Sequence, residues 1–207
     1  MRGPRLRFEA VRESQWDDLA RLFGERGACG GCWCQVWRLS HKDFESGKGA
    51  ANLRRLKRLI DRGAEPGILA YAGDEAVGWI ALAPREDYPA LARSRVLAPV
   101  DDRSVWSVSC LYVRKDQRNR GVSVALLRNA LEFVRARGGG IVEGYPVEPR
   151  PGKGHLAAAF AWTGLASAFL AAGFREVARR SETRPIMRKT VRGRPTGSRE
   201  SDSSAKS

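Results

Sequence analysis

The sequence predicts a single mixed α/β domain, a twisted mixed sheet of six to seven strands flanked by about four helices. Three observations predict it. The stretch Val105 to Ala130, VWSVSCLYVRKDQRNRGVSVALLRNA, passes from an uncharged β-branched and aromatic run to a polar turn and then to apolar residues at helical spacing. Short apolar runs with strand character precede and follow that unit, with helical patterns between them. The chain has 207 residues with 43% apolar content, enough for one buried core and short for two. Residues 1–190 are read as the domain. Residues 191–207, VRGRPTGSRESDSSAKS, carry one apolar valine among Ser, Gly and Arg and are expected to be disordered.

Taken in order, Leu6 to Arg12 alternates Leu6, Phe8 and Ala10 against charged residues, the period of a half-buried strand. Ser14-x-x-Asp17 resembles a capping box opening a helix in which Trp16, Leu19, Ala20 and Phe23 share a face, ended by Gly24 and Gly27. Asn52 to Arg62 places Leu53, Leu56, Leu59 and Ile60 on one side of a basic amphipathic helix stopped by Gly63. Gly67–Ala72 and Ala76–Ala83 read as strands joined by Gly73-Asp74. Pro84 to Asp102 is a long connection with a helical turn at Tyr88 to Arg95, and long ordered loops are often functional. The central strand, Val105 to Val113, and its helix come next, ended by Gly138 to Gly140. Ile141 to Val147 is a further strand carrying one carboxylate, Glu143. A helix from Trp162 to Ala172, a strand from Phe174 to Arg180 and a strand from Arg184 to Thr190 complete the order. Leu156 to Phe174 is uncharged but rich in alanine, so it reads as a buried segment rather than a membrane span.

Between the first two long helices lies ACGGCWCQVWRLSH, with Cys29, Cys32 and Cys34 within six residues, then Trp33, Trp37 and His41. Three thiols and an imidazole are zinc ligands by type, yet C-x-x-C-x-C with a distant His lacks the paired spacing of zinc fingers. A Cys-x-x-Cys redox pair lacks its usual strand-to-helix setting. Packing of the cysteines as small apolar side chains among tryptophans is preferred, and no metal is expected.

The polar turn is the chemically informative element. Arg114 to Arg120 is a seven-residue run with four Arg or Lys side chains, leading into a helix. The first N–H groups of a helix have no intrahelical partner and carry partial positive charge, so a tight turn feeding a helix favours an anion. Arg118, Asn119, Arg120, Gly121, Val122 and Ser123 aim consecutive amides and two guanidinium groups at a ligand of pyrophosphate size. The spacing is neither a Walker loop nor G-x-G-x-x-G.

Arg118-x-x-Gly121-x-Ser123 after a strand resembles the Q/R-x-x-G-x-G/A signature of the GNAT N-acetyltransferase superfamily, with Ser123 where Gly or Ala is usual. Ala171-Ala172-Gly173-Phe174 resembles the family's closing helix-to-strand turn, and the Cys-Trp-Cys segment, VEGYPVEP and FAWTG resemble a bacterial branch of it. The resemblance spans roughly residues 5 to 190 and implies the GNAT acyl-CoA N-acyltransferase fold, in which the fourth and fifth strands splay to admit the cofactor. It further implies acetyl-CoA as co-substrate, held by the backbone of Leu111, Tyr112 and Val113 and by Arg118 through Ser123. Acetyl transfer to a primary amine, of a small molecule or a peptide, is the implied activity. Trp33 and Trp37 would wall the acceptor pocket. The tyrosine that protonates the leaving thiolate in many relatives is replaced here by Phe169. The attacking amine must also lose a proton, and Glu143, on a strand expected to flank the cleft, is the chosen acceptor, with binding of the acceptor's cationic group, or pairing with an arginine, as its alternatives. Tyr145 and Tyr112 are the candidate acids. Cys110 is read as a buried small residue rather than a nucleophile, and His155 as a solvated loop residue.

The net charge of +14 favours an anionic partner. It also raises the alternatives of a nucleic-acid-binding protein or a thiol or zinc sensor on the same scaffold. The basic residues are spread along the chain and no nucleic-acid motif accompanies them, so no specific nucleic acid is expected. Without a signal-like N-terminus, four cysteines point to reduced thiols and a cytoplasmic setting. No membrane partner is expected, and a homodimer is allowed.

Overall fold

The structure, a computed structural model, describes residues 5–149 and 162–194. Its strands are β1 (Leu6–Ala10), β2 (Gly67–Ala72), β3 (Glu75–Pro84), β4 (Val105–Val113), β5 (Gly139–Gly144), β6 (Arg175–Arg179) and β7 (Pro185–Arg192). Its helices are α1 (Trp16–Phe23), α2 (His41–Ser46), α3 (Ala50–Asp61), α4 (Pro89–Ala92), α5 (Val122–Ala136) and α6 (Ala166–Ala171). The strands make one seven-stranded sheet in the order β1-β2-β3-β4-β5-β7-β6. The four strands from β1 to β4 are an antiparallel meander, β4 and β5 are parallel across the α5 crossover, and β5, β7 and β6 are antiparallel. The expected mixed fold is observed, at the upper end of the expected strand number and with two short extra helices.

Side-chain alternation along the strands divides the core between two faces. On one face Val77, Ile80 and Leu82 of β3 and Val108 and Leu111 of β4 meet Val122, Leu126, Ala130 and Val134 of α5. On the other, Trp79, Ala81 and Cys110 meet Leu19 and Phe23 of α1, Leu56 and Ile60 of α3, and Trp33 and Cys34 of the connection. A third cluster, with Tyr88, Leu91, Leu97 and Tyr145, closes the end of the sheet under the long β3–β4 connection.

Several boundaries depart from the sequence expectation. The first helix opens not through Ser14 but through a short 3-10 turn at Glu13–Gln15, with the Gln15 side chain accepting from the Arg12 amide at 3.2 Å. α2 was not anticipated, although its cap is legible: Ser40 Oγ accepts from the Asp43 amide at 3.1 Å. β5 begins at Gly139 and ends at Gly144, short of the expected Val147. The last helix begins at Ala166 rather than Trp162, because Gly164 has φ +87 and Leu165 is extended. β7 runs to Arg192, two residues beyond the expected domain end. Residues 195–207 of the tail, His155 and the N-terminal part of the uncharged window lie outside the described residues. Among the described residues no helix is long and apolar enough to cross a membrane.

Candidate active site

The turn between β4 and α5 has the geometry of an anion cradle. Asn119 and Gly121 both have positive φ, 60° and 78°, which asparagine tolerates better than most residues and glycine freely. Gly121 is the residue before the first helical turn, and no side chain caps the helix. The Ala125 amide makes the first intrahelical bond, to the Gly121 carbonyl at 3.0 Å. The amides of Asn119, Arg120 and Gly121 find no acceptor among the described residues, and those of Val122, Ser123 and Val124 are the unpaired donors of a helix start. A β-carbon on Gly121 would have no atom within 4 Å, so the space over the turn is open. Arg118 Nε donates to the Val113 carbonyl at 3.2 Å, tying the turn to the end of the strand. A run of unpaired amides at the start of a fifteen-residue helix, with Arg118 and Arg120 exposed beside it, fits a diphosphate. An open depression of about 1070 Å³ reaches Gly121 and runs along α5 past Arg128 and Arg135.

β4 carries a bulge. Ala81 pairs with Cys110 and Leu82 with Val108, which leaves Ser109 as the extra residue. Parallel pairing with β5 stops at Val108 and Gly144, after which β4 continues to Val113 paired with β3 only. The gap so opened is partly spanned by the chain at Trp162 to Leu165. The Leu111 amide donates to the Trp162 carbonyl at 2.7 Å, Val147 donates to Gly164 at 2.9 Å, and Val147 bridges to Leu165. Gly164 is required here, since a β-carbon would come within 2.7 Å of Leu111 Cδ1. Strand alternation then faces the Val113 amide toward the gap and that of Tyr112, which pairs with Trp79, toward β3. Of the three backbone contacts expected, Leu111 is thus already engaged, Tyr112 faces away and Val113 is open.

Beside this gap lies a cavity of about 300 Å³, lined among others by Trp37, Trp162, Tyr112, Phe44, Ser109 and all four cysteines. Trp37 and Trp162 have ring centroids 5.9 Å apart at 34° and form one continuous wall. Trp33 was expected in that wall but is not part of it: only 3% exposed, it packs on Phe23 and Trp16 beneath α1. Cys34 is buried and accepts from Trp79 Nε1 at 3.2 Å. Contact with Cys34, then burial, pushes the Cys32 thiol far above its ordinary range, and contact with Cys110 does the same for Cys34. These sulfurs stay protonated and serve as apolar wall. Among the described residues no group of three or more Cys, His, Asp or Glu is arranged to hold a metal ion.

Glu143 and Tyr145 come together, but away from this cavity. Glu143 has no exposed surface. Its Oε1 accepts from Arg85 at 2.8 Å and from the Tyr145 hydroxyl at 2.7 Å, and its Oε2 accepts from Arg188 Nε at 2.6 Å. Arg85 also donates to the Tyr145 oxygen at 2.5 Å, and Ser107 lies 2.8 Å from it. Arg188 reaches on to Asp101 at 2.7 Å, and Arg85 to the Leu97 carbonyl at 2.6 Å. Burial, then the Glu143 charge, raises the Tyr145 phenol well above its ordinary range, so it holds its proton. Both carboxylate oxygens are committed and neither residue lines the cavity, which corrects the expectation of a base at Glu143 and an acid at Tyr145.

With this geometry in place, comparison with known proteins is decisive for family. Residues 33–146, more than half of the chain, match the sequence pattern of the Acetyltransferase (GNAT) family. The chain belongs to that family. A search of curated proteins returned no significant match. Among solved structures, a GNAT-family protein from Desulfovibrio desulfuricans shares 15% identity and TM-score 0.50, covering 90% of this chain and 98% of that one. The PaiA N-acetyltransferase of Thermoplasma acidophilum, crystallised with coenzyme A, shares 15% identity and TM-score 0.50, covering 90% of this chain and 99% of that one. At such identities the likeness is one of fold.

In this GNAT acetyltransferase the cradle residues Arg118 to Ser123 stand together as the sequence groups them. The sequence reading missed Arg85 and Arg188, the partners of Glu143. Arg85 sits in a connection whose path no local pattern fixes, and Arg188 is an ordinary strand arginine until its register places it opposite Glu143. Trp162 was missed as a wall residue because its spacing from Phe169 suggested helix. Phe169 is fully buried against Phe174, with centroids 5.0 Å apart, and supplies no acid.

Proposed function

We propose that this protein is an N-acetyltransferase that moves the acetyl group of acetyl-CoA to a primary amine of a small molecule by direct attack. The observation that carries the reading is the row of unpaired amides from Asn119 into α5 at the end of a strand that splays from its neighbour. A diphosphate seated there directs the rest of an acyl-CoA along the open edge of β4 toward the Ser109 bulge and the tryptophan-walled cavity. The coenzyme A bound to the Thermoplasma relative is a ligand of this class.

In the transfer the amine lone pair forms the new N–C bond, the C–S bond breaks, and the sulfur leaves as thiolate. The ammonium must first lose its proton, because only the neutral amine has a lone pair. No carboxylate lines the cavity among the described residues. The apolar wall itself favours the neutral amine by withholding water, and the proton passes to solvent at the open side. Tyr112 is the phenol on the cavity wall and is assigned the return of a proton to the thiolate. The amide of Leu111, once the Trp162 carbonyl yields it, is assigned the polarising of the acyl carbonyl, and that of Val113 a contact to the arm nearer the diphosphate.

The test is direct. Protein incubated with acetyl-CoA and a primary amine should release free thiol in step with an amine product heavier by one acetyl group, and Tyr112→Phe should slow this about tenfold or more. Thiol release without acylated amine would contradict the reading.

A further inference from the structure

Resting on the N-acetyltransferase reading above, we propose that the acceptor is a monoamine with a flat aromatic body, and that Trp37 selects it. The cavity holds about 300 Å³, the lower end of what a small-molecule site offers, so one compact ligand fills it. Its wall is made by Trp37 and Trp162, with Phe44 and Tyr112 also lining it, and their faces and edges match another ring better than a branched sugar or a flexible chain.

Charge narrows the class further. The cavity's charged lining residue is Lys48, whose Nζ lies 2.7 Å from the Glu45 carboxylate. Of the thiols on the wall, Cys32 and Cys34 are held neutral by their mutual contact, by burial and by contact with Cys110. A single ammonium can enter over a tryptophan face and lose its proton there. A polycation would carry further ammonium groups into a site that no carboxylate lines among the described residues, each stripped of water and unpaired there. Aminoglycosides and polyamines are thereby disfavoured.

The experiment compares tyramine and tryptamine with spermidine and kanamycin as acceptors for acetyl-CoA, reading free thiol and product mass. Expected is kcat/KM for the aromatic monoamines about tenfold or more above that for the polycations. Trp37→Ala should raise KM for tyramine about tenfold while kcat changes less than about threefold, and Trp37→Phe should recover most of the loss for tryptamine. Trp162→Ala, on the same wall, should raise KM likewise and covers the case in which Trp37→Ala fails to fold. Preference for spermidine or kanamycin, or KM for tyramine unmoved in folded wall variants, overturns the aromatic assignment and leaves N-acetyl transfer standing. Acetyl-CoA binding without acetylation of any of the four amines overturns the proposed function, and this inference with it.

Discussion

At the scale of single residues, the most informative is Glu143, because sequence and structure give it different work. From the sequence it is one carboxylate in an apolar strand, and burial of that kind suits a base. In the structure two guanidinium groups and a phenol take both of its oxygens, with Arg188 6% and Arg85 12% exposed at the side chain. Removing its charge takes from the largely buried Arg85 its carboxylate partner and leaves Arg188 with Asp101 alone. Glu143→Gln is therefore expected to lose about 3–5 kcal/mol of stability, measured by denaturant unfolding. A soluble, fully stable variant with only its rate impaired would return Glu143 to catalysis. The thiols give a second residue-scale prediction. Cys32 and Cys34 have raised folded-state pKa values, whereas unfolded cysteines titrate at about 8.5. Below that pH both states are protonated and no stability is lost. Above it the unfolded chain releases protons that the folded one retains, so stability falls as pH rises. The melting temperature should hold to about pH 8 and decline by about pH 9.5, more steeply than in Cys34→Ala. Equal slopes would refute the buried, protonated assignment. Arginine pairing of Glu143 was legible only as an alternative, and which residues pair was not, since that depends on register and on chain turns at Trp33 and Cys34, whose φ values are 41° and 50°.

At the scale of elements, the legible ones were those whose pattern is local. β2 and β4 have the boundaries their apolar runs predict, and α5 has the extent its leucine and valine spacing implies. The failures occurred where a long-range contact decides. Trp162 lies at helical spacing from Ala166 and Phe169, yet its carbonyl bonds the Leu111 amide at 2.7 Å and Gly164 takes a left-handed turn, so the segment is an extended strap. That strap touches both halves of the site: its backbone occupies the strand edge where an acyl-CoA arm would pair, and its indole lies on the acceptor wall. Seating acetyl-CoA should shift it. Tryptophan emission is expected to change on titration with acetyl-CoA in the parent and to change much less in Trp162→Phe, in which the other five tryptophans remain. An identical response in both proteins would mean that the strap stays in place.

At the scale of the whole molecule, the fold class and the strand-turn-helix unit were readable because each rests on periodicity and composition, and the family was readable because one turn carries its signature. The proposed acceptor side was only half readable: the Cys-Trp segment stands out in the sequence and does line the cavity, but which tryptophan faces that cavity depends on the packing of Trp33 beneath α1. Arginines paired with carboxylates, such as Arg85 with Glu143 and Arg188 with Asp101, cancel in the net charge of +14, so the excess that an anionic co-substrate would meet lies on other basic residues. The central claim is that the turn at Gly121 is the diphosphate cradle on which the rest of the site depends. Its most direct test is calorimetric titration of acetyl-CoA into the parent and into Gly121→Glu and Gly121→Asn. A β-carbon at Gly121 meets no atom within 4 Å, while the left-handed φ of 78° strains a side chain there, asparagine least, so each variant is first shown to be folded. The account predicts binding by the parent, binding retained within about tenfold by Gly121→Asn, and none by Gly121→Glu, whose carboxylate stands where the phosphates would. Equal binding by all three folded proteins, or no binding by the parent, would contradict it.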